Sequence, residues 1–163
     1  MIDEIDAKIV ELLQIDGRMP YAQIGENIGR SEASVRRRVK NLIEDKKLQI
    51  VGIVEPHELG WNEAGMVGIS VQPDRLSSVA DAIANLEEVS YLFQAAGEFD
   101  LFAEVYCKDK SHFVFFLNEK LQKIPGVERI RSFIILKIHK LSYSWGQSFQ
   151  PSNKHETVSS TKV

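Results

Sequence analysis

The spacing of apolar residues changes near residue 50. Before it, they recur at helical intervals. Ile5, Ile9, Leu12 and Leu13 fall at i, i+4, i+7 and i+8, one face of an amphipathic helix. Asp3 is placed to cap that helix, and Asp6 sits favourably in its first turn. Asp16-Gly17 ends it. Pro20 suits the first turn of a second, short helix carrying Tyr21, Ile24 and Ile28 and closed by Gly29. Ser31 suits the N-cap of a third helix, which runs to about Asp45 with Val35, Val39 and Leu42 turned inward.

Beyond residue 50, strand-like and helical stretches alternate. Residues 64–71 read as a strand, and Leu76, Val79, Ile83 and Leu86 space as a helix. Residues 89–96 and 100–107 read as two strands joined by the tight turn Gly97-Glu98-Phe99. Phe113, Leu117 and Leu121 make a second helix, and residues 127–139 form the last strand region. The order β-α-β-β-α-β is the ferredoxin-like arrangement, so the fold class is α+β. Both helices cover one face of such a sheet. The other face needs a partner, and self-association supplies one. From about Gly146 the period is lost, and residues 146–163 read as a disordered tail.

Composition narrows the class. The chain is 44% apolar and 26% charged, which excludes collagen-like, low-complexity and wholly disordered chains. No apolar run approaches the roughly 18–20 residues that cross a bilayer, so no membrane partner is expected. The acidic opening Met1-Ile2-Asp3-Glu4 does not resemble a secretory signal, and a cytoplasmic location is expected. Cys107 is the single cysteine, so neither an internal disulfide nor a multi-cysteine zinc site can form. His57, His112, His139 and His155 lack metal-ligand spacing. No metal, cofactor or catalytic residue is expected.

Net charge is −3, which argues against a globally basic nucleic-acid coat. The distribution matters more than the sum. Residues 36–47 hold six bases and two acids, whereas the rest of the first 55 residues holds three bases and eight acids. A short helix, a glycine-containing turn and a capped helix with small residues first and arginines next is a helix-turn-helix pattern. The major groove admits one helix, small residues let it approach the bases, and arginine can donate two bonds to guanine. A solvated charged face on a plain three-helix bundle would look the same in sequence.

Several segments together resemble the Lrp/AsnC family, the leucine-responsive and asparagine-responsive regulators. They are residues 5–18, 24–31, 35–42, Gly97-Glu98-Phe99-Asp100-Leu101, Ile124-Pro125-Gly126-Val127 and Ile134-Ile135-Leu136-Lys137. The resemblance covers about residues 2–141. It implies a winged helix-turn-helix domain over residues 1–49 and a connecting strand and hinge over 50–62. A ferredoxin-like effector and oligomerisation domain would then span 63–145. It implies double-stranded DNA with pseudo-palindromic sites as partner, a homodimer assembling further, often to octamers, and a small effector, usually an amino acid. An architectural DNA binder and an enzyme like the sirohaem decarboxylases remain as alternatives.

Carried onto this sequence, the resemblance makes Ser31, Ala33, Ser34, Arg36, Arg37, Arg38 and Lys40 the DNA-contacting set. Ala33, Ser34 and Arg37 would approach bases, and Arg36, Arg38 and Lys40 would hold phosphates. Glu32 stands where the family often has proline and would point aside. Gly97, Glu98, Phe99 and Asp100 match the family's effector turn, with Ser132 on the last strand beside it. Gly97 would allow close approach or a positive φ. Exposed amides would take a carboxylate, and Glu98 or Asp100 an ammonium. A plain turn with a capping Asp100 is the structural alternative. Ile130 replaces a family threonine and makes that wall more apolar. Cys107 reads as a small buried hydrophobe, Trp61 and Trp145 as packing anchors, and Phe113, Phe115 and Phe116 as helix core or subunit contact.

Overall fold

Helix α1 (Glu4–Ile15) opens on a reciprocal cap: the Asp3 carboxylate accepts from the Asp6 amide, and Asp6 accepts from the amide of Asp3. Helix α2 (Tyr21–Ile28) stops at Gly29, which adopts the left-handed conformation at φ 68°. Helix α3 (Glu32–Glu44) follows at once, capped by Ser31. Ile9, Ile24, Val35 and Val39 form a small core among the three helices. The computed structural model describes residues 2–142, so the expected tail lies outside the described residues. The chain divides into two compact units, one running to Val51 and one from Gly52 to Lys140, with residues 141 and 142 grouped with the first.

The second unit contains β1 (Glu63–Val71), α4 (Leu76–Ala84), β2 (Val89–Gln94), β3 (Leu101–Cys107), α5 (Lys110–Phe115) and β4 (Val127–Ile134). The sheet is antiparallel in the order β2-β3-β1-β4. This is the ferredoxin-like topology expected from the sequence. Val67, Ile69, Leu101, Ala103 and Val105 line one face and pack on Val79, Ile83, Phe113 and Phe116 from the helices. The strict alternation of β3 between buried and half-buried positions follows from the strand period of two.

Three elements depart from expectation. Residues 49–55 form no ladder, and Val51, Ile53 and Val54 are exposed. A strand exists only where a neighbour accepts its hydrogen bonds, and a single chain offers this segment none. The last strand stops at Ile134 rather than His139. Ile135 makes a final bond to Ala64, where β1 is running out, and Leu136 is exposed. Helix α5 widens into a π-helix over Phe116–Leu121. The core therefore takes Phe113, Phe116 and Leu121, with Leu117 half-buried, and Phe115 is exposed rather than core.

Candidate nucleic-acid interface and effector turn

Buried Val35, Val39 and Leu42 fix which face of α3 looks outward. Ser31, Glu32, Ala33, Arg36, Arg37 and Lys40 line one open depression on that face. Ser34 is half-buried and lies outside it. The cations in the depression are not equivalent. Arg37 is exposed and pairs with no other described residue. Lys40 reaches Glu44 only at 3.6 Å. Arg36 donates to Glu32 at 2.5 Å and lies over the Tyr21 ring, 5.4 Å from its centroid. Glu32 therefore does not point aside as expected, because an arginine one turn on holds it.

Arg38 also departs from its expected role. Its Nη1 donates to Asp3 at 2.7 Å and to Asp6 at 2.8 Å, and its Nε is buried without a partner. Two carboxylates engage the same nitrogen, so Nη1 is not free for a phosphate. It joins α3 to the start of α1 instead. The Asp6 amide and then Arg38 hold the Asp3 carboxyl below the usual carboxylate range. Asp3 and Asp6 raise Arg38 in return.

The turn between β2 and β3 has its own geometry. Phe99 is 4% exposed and lies over Gly68, where an added Cβ would come within 2.7 Å of the ring. Arg129 and Arg131 stand over the same ring at 5.1 and 5.8 Å from its centroid. Each reaches Glu98 Oε1 at 3.5 Å. Two half-exposed guanidiniums, one carboxylate and an aromatic floor thus meet at the turn. Arg129 and Arg131 were missed in the sequence because only register reveals them. They alternate on one face of β4, beside the turn.

Two expectations about this turn need correction. Ser132 pairs with buried Val67, which sets it on the helix-covered side of the sheet, whereas Phe99 lies over the other side. The structure does not bring Ser132 to the turn. Gly97 has no positive φ, and an added Cβ there would meet open space, so this chain's own packing does not require glycine. Asp100 accepts from the Val71 amide at 2.8 Å, and one of its oxygens is thus committed to the fold.

A buried charged cluster also escaped the sequence reading. Glu88 is 1% exposed. It accepts from Lys120 at 2.5 Å and lies 3.0 Å from His112 Nε2. His112 Nδ1 accepts from the Lys108 amide at 3.1 Å. The neutral ring therefore carries its proton on Nε2 and donates to Glu88. Lys120 sits on the π-helix, and periodicity does not report that widening. Burial pushes the nearby Cys107 thiol up to about 11, in keeping with a small buried hydrophobe. Among the described residues, no group of His, Cys, Asp and Glu could hold a metal ion, and no helix is long and apolar enough to cross a membrane.

Comparison with known proteins adds independent findings. A family model described as the AsnC-type helix-turn-helix domain matches residues 2–43. One described as the Lrp/AsnC ligand binding domain matches residues 64–145. The HTH-type transcriptional regulator LrpA of Pyrococcus horikoshii is 33% identical over 138 residues, covering 84% of this chain and 98% of that protein. The regulator FL11 of Pyrococcus furiosus is 30% identical over 141 residues, covering 86% and 93%. The structure of Escherichia coli AsnC superposes with a TM-score of 0.77 at 24% identity, over 86% of this chain and 96% of that one. A transcriptional regulator of Neisseria meningitidis in complex with L-methionine gives 0.80 at 24%, over 89% and 96%.

Proposed function

The chain belongs to the Lrp/AsnC family of transcriptional regulators, and from that premise we propose that it binds specific DNA sites and answers to an amino-acid effector. One observation carries the DNA reading. Arg37 is exposed and unpaired on the outward face of α3, inside a depression bordered by Arg36, Lys40 and the small residues Ser31 and Ala33. Arg37 can donate two parallel bonds to guanine O6 and N7. Arg36 and Lys40 suit phosphates, which set register without specifying sequence. Arg38 serves instead to hold α3 to α1.

The effector reading rests on the turn. A free amino acid presents a carboxylate and an ammonium. Arg129 and Arg131 suit the first and Glu98 the second, with Phe99 as an apolar floor. Gly97 leaves its side of the turn open. The L-methionine complex of the Neisseria protein supports an amino acid as the ligand class. The exposed side of the sheet, with Tyr91, Phe93 and Phe133, suits a homodimer, and dimers would assemble further, to octamers in the family pattern. Pseudo-palindromic sites and a cytoplasmic location follow from this reading, and no reaction is required of the chain.

The test is selection of bound DNA from a random pool at fixed salt, with and without a mixture of amino acids. The expected result is a sharp pseudo-palindromic motif whose recovery changes with one amino acid. A flat sequence profile, unchanged by any amino acid, would instead describe an architectural DNA binder.

A further inference from the structure

Glu32 is a carboxylate on a surface offered to a polyanion. It opens α3, its side chain is 49% exposed, and it lines the same depression as Ala33, Arg37 and Lys40. A helix's first turn favours an acidic side chain. A phosphodiester backbone repels one. The conflict is resolved within the helix. Arg36 donates Nη2 to Glu32 Oε1 at 2.5 Å, and that guanidinium is itself held over the Tyr21 ring. The charge is compensated and the carboxylate is oriented, yet only one oxygen is engaged. Glu32 Oε2 accepts no hydrogen bond from the described residues.

We propose that Glu32 is a base-reading, specificity-determining residue whose free oxygen accepts from the N4 amino group of a cytosine in the major groove. This rests on α3 being the DNA-reading helix. Four base edges compete for the carboxylate. Guanine O6 and N7 and thymine O4 are acceptors and repel it. Adenine offers N6 as a donor but sets the N7 acceptor beside it, against the second carboxylate oxygen. Cytosine offers N4 with only a C–H beside it. The residue therefore acts mainly by exclusion. Against a cytosine its free oxygen is satisfied, and against other bases, or the backbone alone, that oxygen is an unpaired acceptor drawn out of water. Arg37 in the same depression favours guanine, so the two residues read different edges.

The experiment compares the full chain with Glu32→Gln, Glu32→Ala and Arg37→Ala by random-pool selection and by titration on the selected site and on unrelated duplex. Glu32 is exposed and the Ser31 cap remains, so the variants should melt like the parent. The parent is expected to require cytosine at one position of each half-site. Glu32→Gln should move that position toward adenine, because glutamine bonds N6 and N7 together. Glu32→Ala should leave it degenerate, with about ten-fold less discrimination. Both should bind unrelated duplex several-fold more tightly, since a negative charge is gone. Arg37→Ala should relax a different position. Glu32 variants that select the parent's motif unchanged would overturn the proposal and leave the DNA reading intact. A parent that selects no motif would overturn both.

Discussion

Arg38 and Lys40 stand two residues apart on α3 with the same charge, and the structure gives them different work. Lys40 is exposed beside the depression, whereas Arg38 is bound to Asp3 and Asp6. Lys40→Ala should lower the slope of log affinity against log salt by about one, the signature of a lost phosphate contact. Arg38→Ala should leave that slope unchanged. It should instead cost stability through the lost charge-assisted bonds, read as a lower melting temperature. Matching salt slopes in the two variants would return Arg38 to the DNA surface. Glu88 makes a different prediction. Burial pushes its carboxyl up, but hydrogen bonds from Lys120, from its own amide and from His112 outweigh burial and hold it below the ordinary value. Its folded-state value is thus below its unfolded one. The stability it contributes is complete above the unfolded carboxylate range and is lost as pH falls through the depressed value. Glu88→Gln should lower stability at neutral pH by about 1–3 kcal/mol. It should also flatten the fall in melting temperature between about pH 6 and pH 3. Equal pH slopes for parent and variant would mean that Glu88 does not carry this dependence.

The turn between α2 and α3 sets how the third helix is offered. Gly29 supplies the left-handed residue, and Gly25 lets the backbones meet: a Cβ at Gly25 would come 2.4 Å from the Arg30 carbonyl oxygen. That neighbour is backbone and cannot swing aside. Gly25→Ala should therefore destabilise the helical unit by about 1–3 kcal/mol and weaken DNA binding with it. A variant that melts and binds like the parent would show that the turn can open at little cost. Helix limits of this kind were legible in the sequence because caps, glycines and apolar spacing are local signals. Ser31, Gly29 and the Val35-Val39-Leu42 stripe needed nothing from elsewhere in the chain. Strand limits were legible only where a partner strand existed: residues 135–139 read as strand, and the resemblance places a connecting strand within 50–62, yet neither forms one in the single chain. The sites divide the same way. The outward face of α3 follows from its own period. The capture of Arg38 by α1, the gathering of Arg129 and Arg131 over Phe99 and the displacement of Ser132 depend on tertiary placement, which periodicity does not carry.

At the scale of the whole molecule, the sheet raises the question that one chain does not answer. Its helix-free side carries a row of aromatic rings: Tyr91 against Phe93 at 5.5 Å, Phe93 against Phe102 at 5.5 Å, and Phe102 edge-on to Phe99 at 5.7 Å. The inner members are partly covered by one another, while Tyr91 remains 61% exposed and Phe133 48%. The homodimer proposed above would bury such a surface symmetrically. The consequence for DNA is larger than the contact itself. One α3 offers few base contacts, and two tethered copies make the second contact intramolecular, at an effective concentration of order millimolar. Tyr91→Lys places a charge in the row at its most exposed position, opposite Glu104 across the β2–β3 pair, where the folded chain tolerates it and a paired sheet does not. The variant should sediment as a smaller species and melt at a protein-concentration-independent temperature. Its affinity for the full pseudo-palindromic site should fall by about two to four orders of magnitude, while affinity for an isolated half-site stays near the parent's. Loss on both DNAs would mean that the substitution damaged α3 or the fold. Retention of the parent's sedimentation and full-site affinity would mean that the aromatic side of the sheet is not where the copies meet.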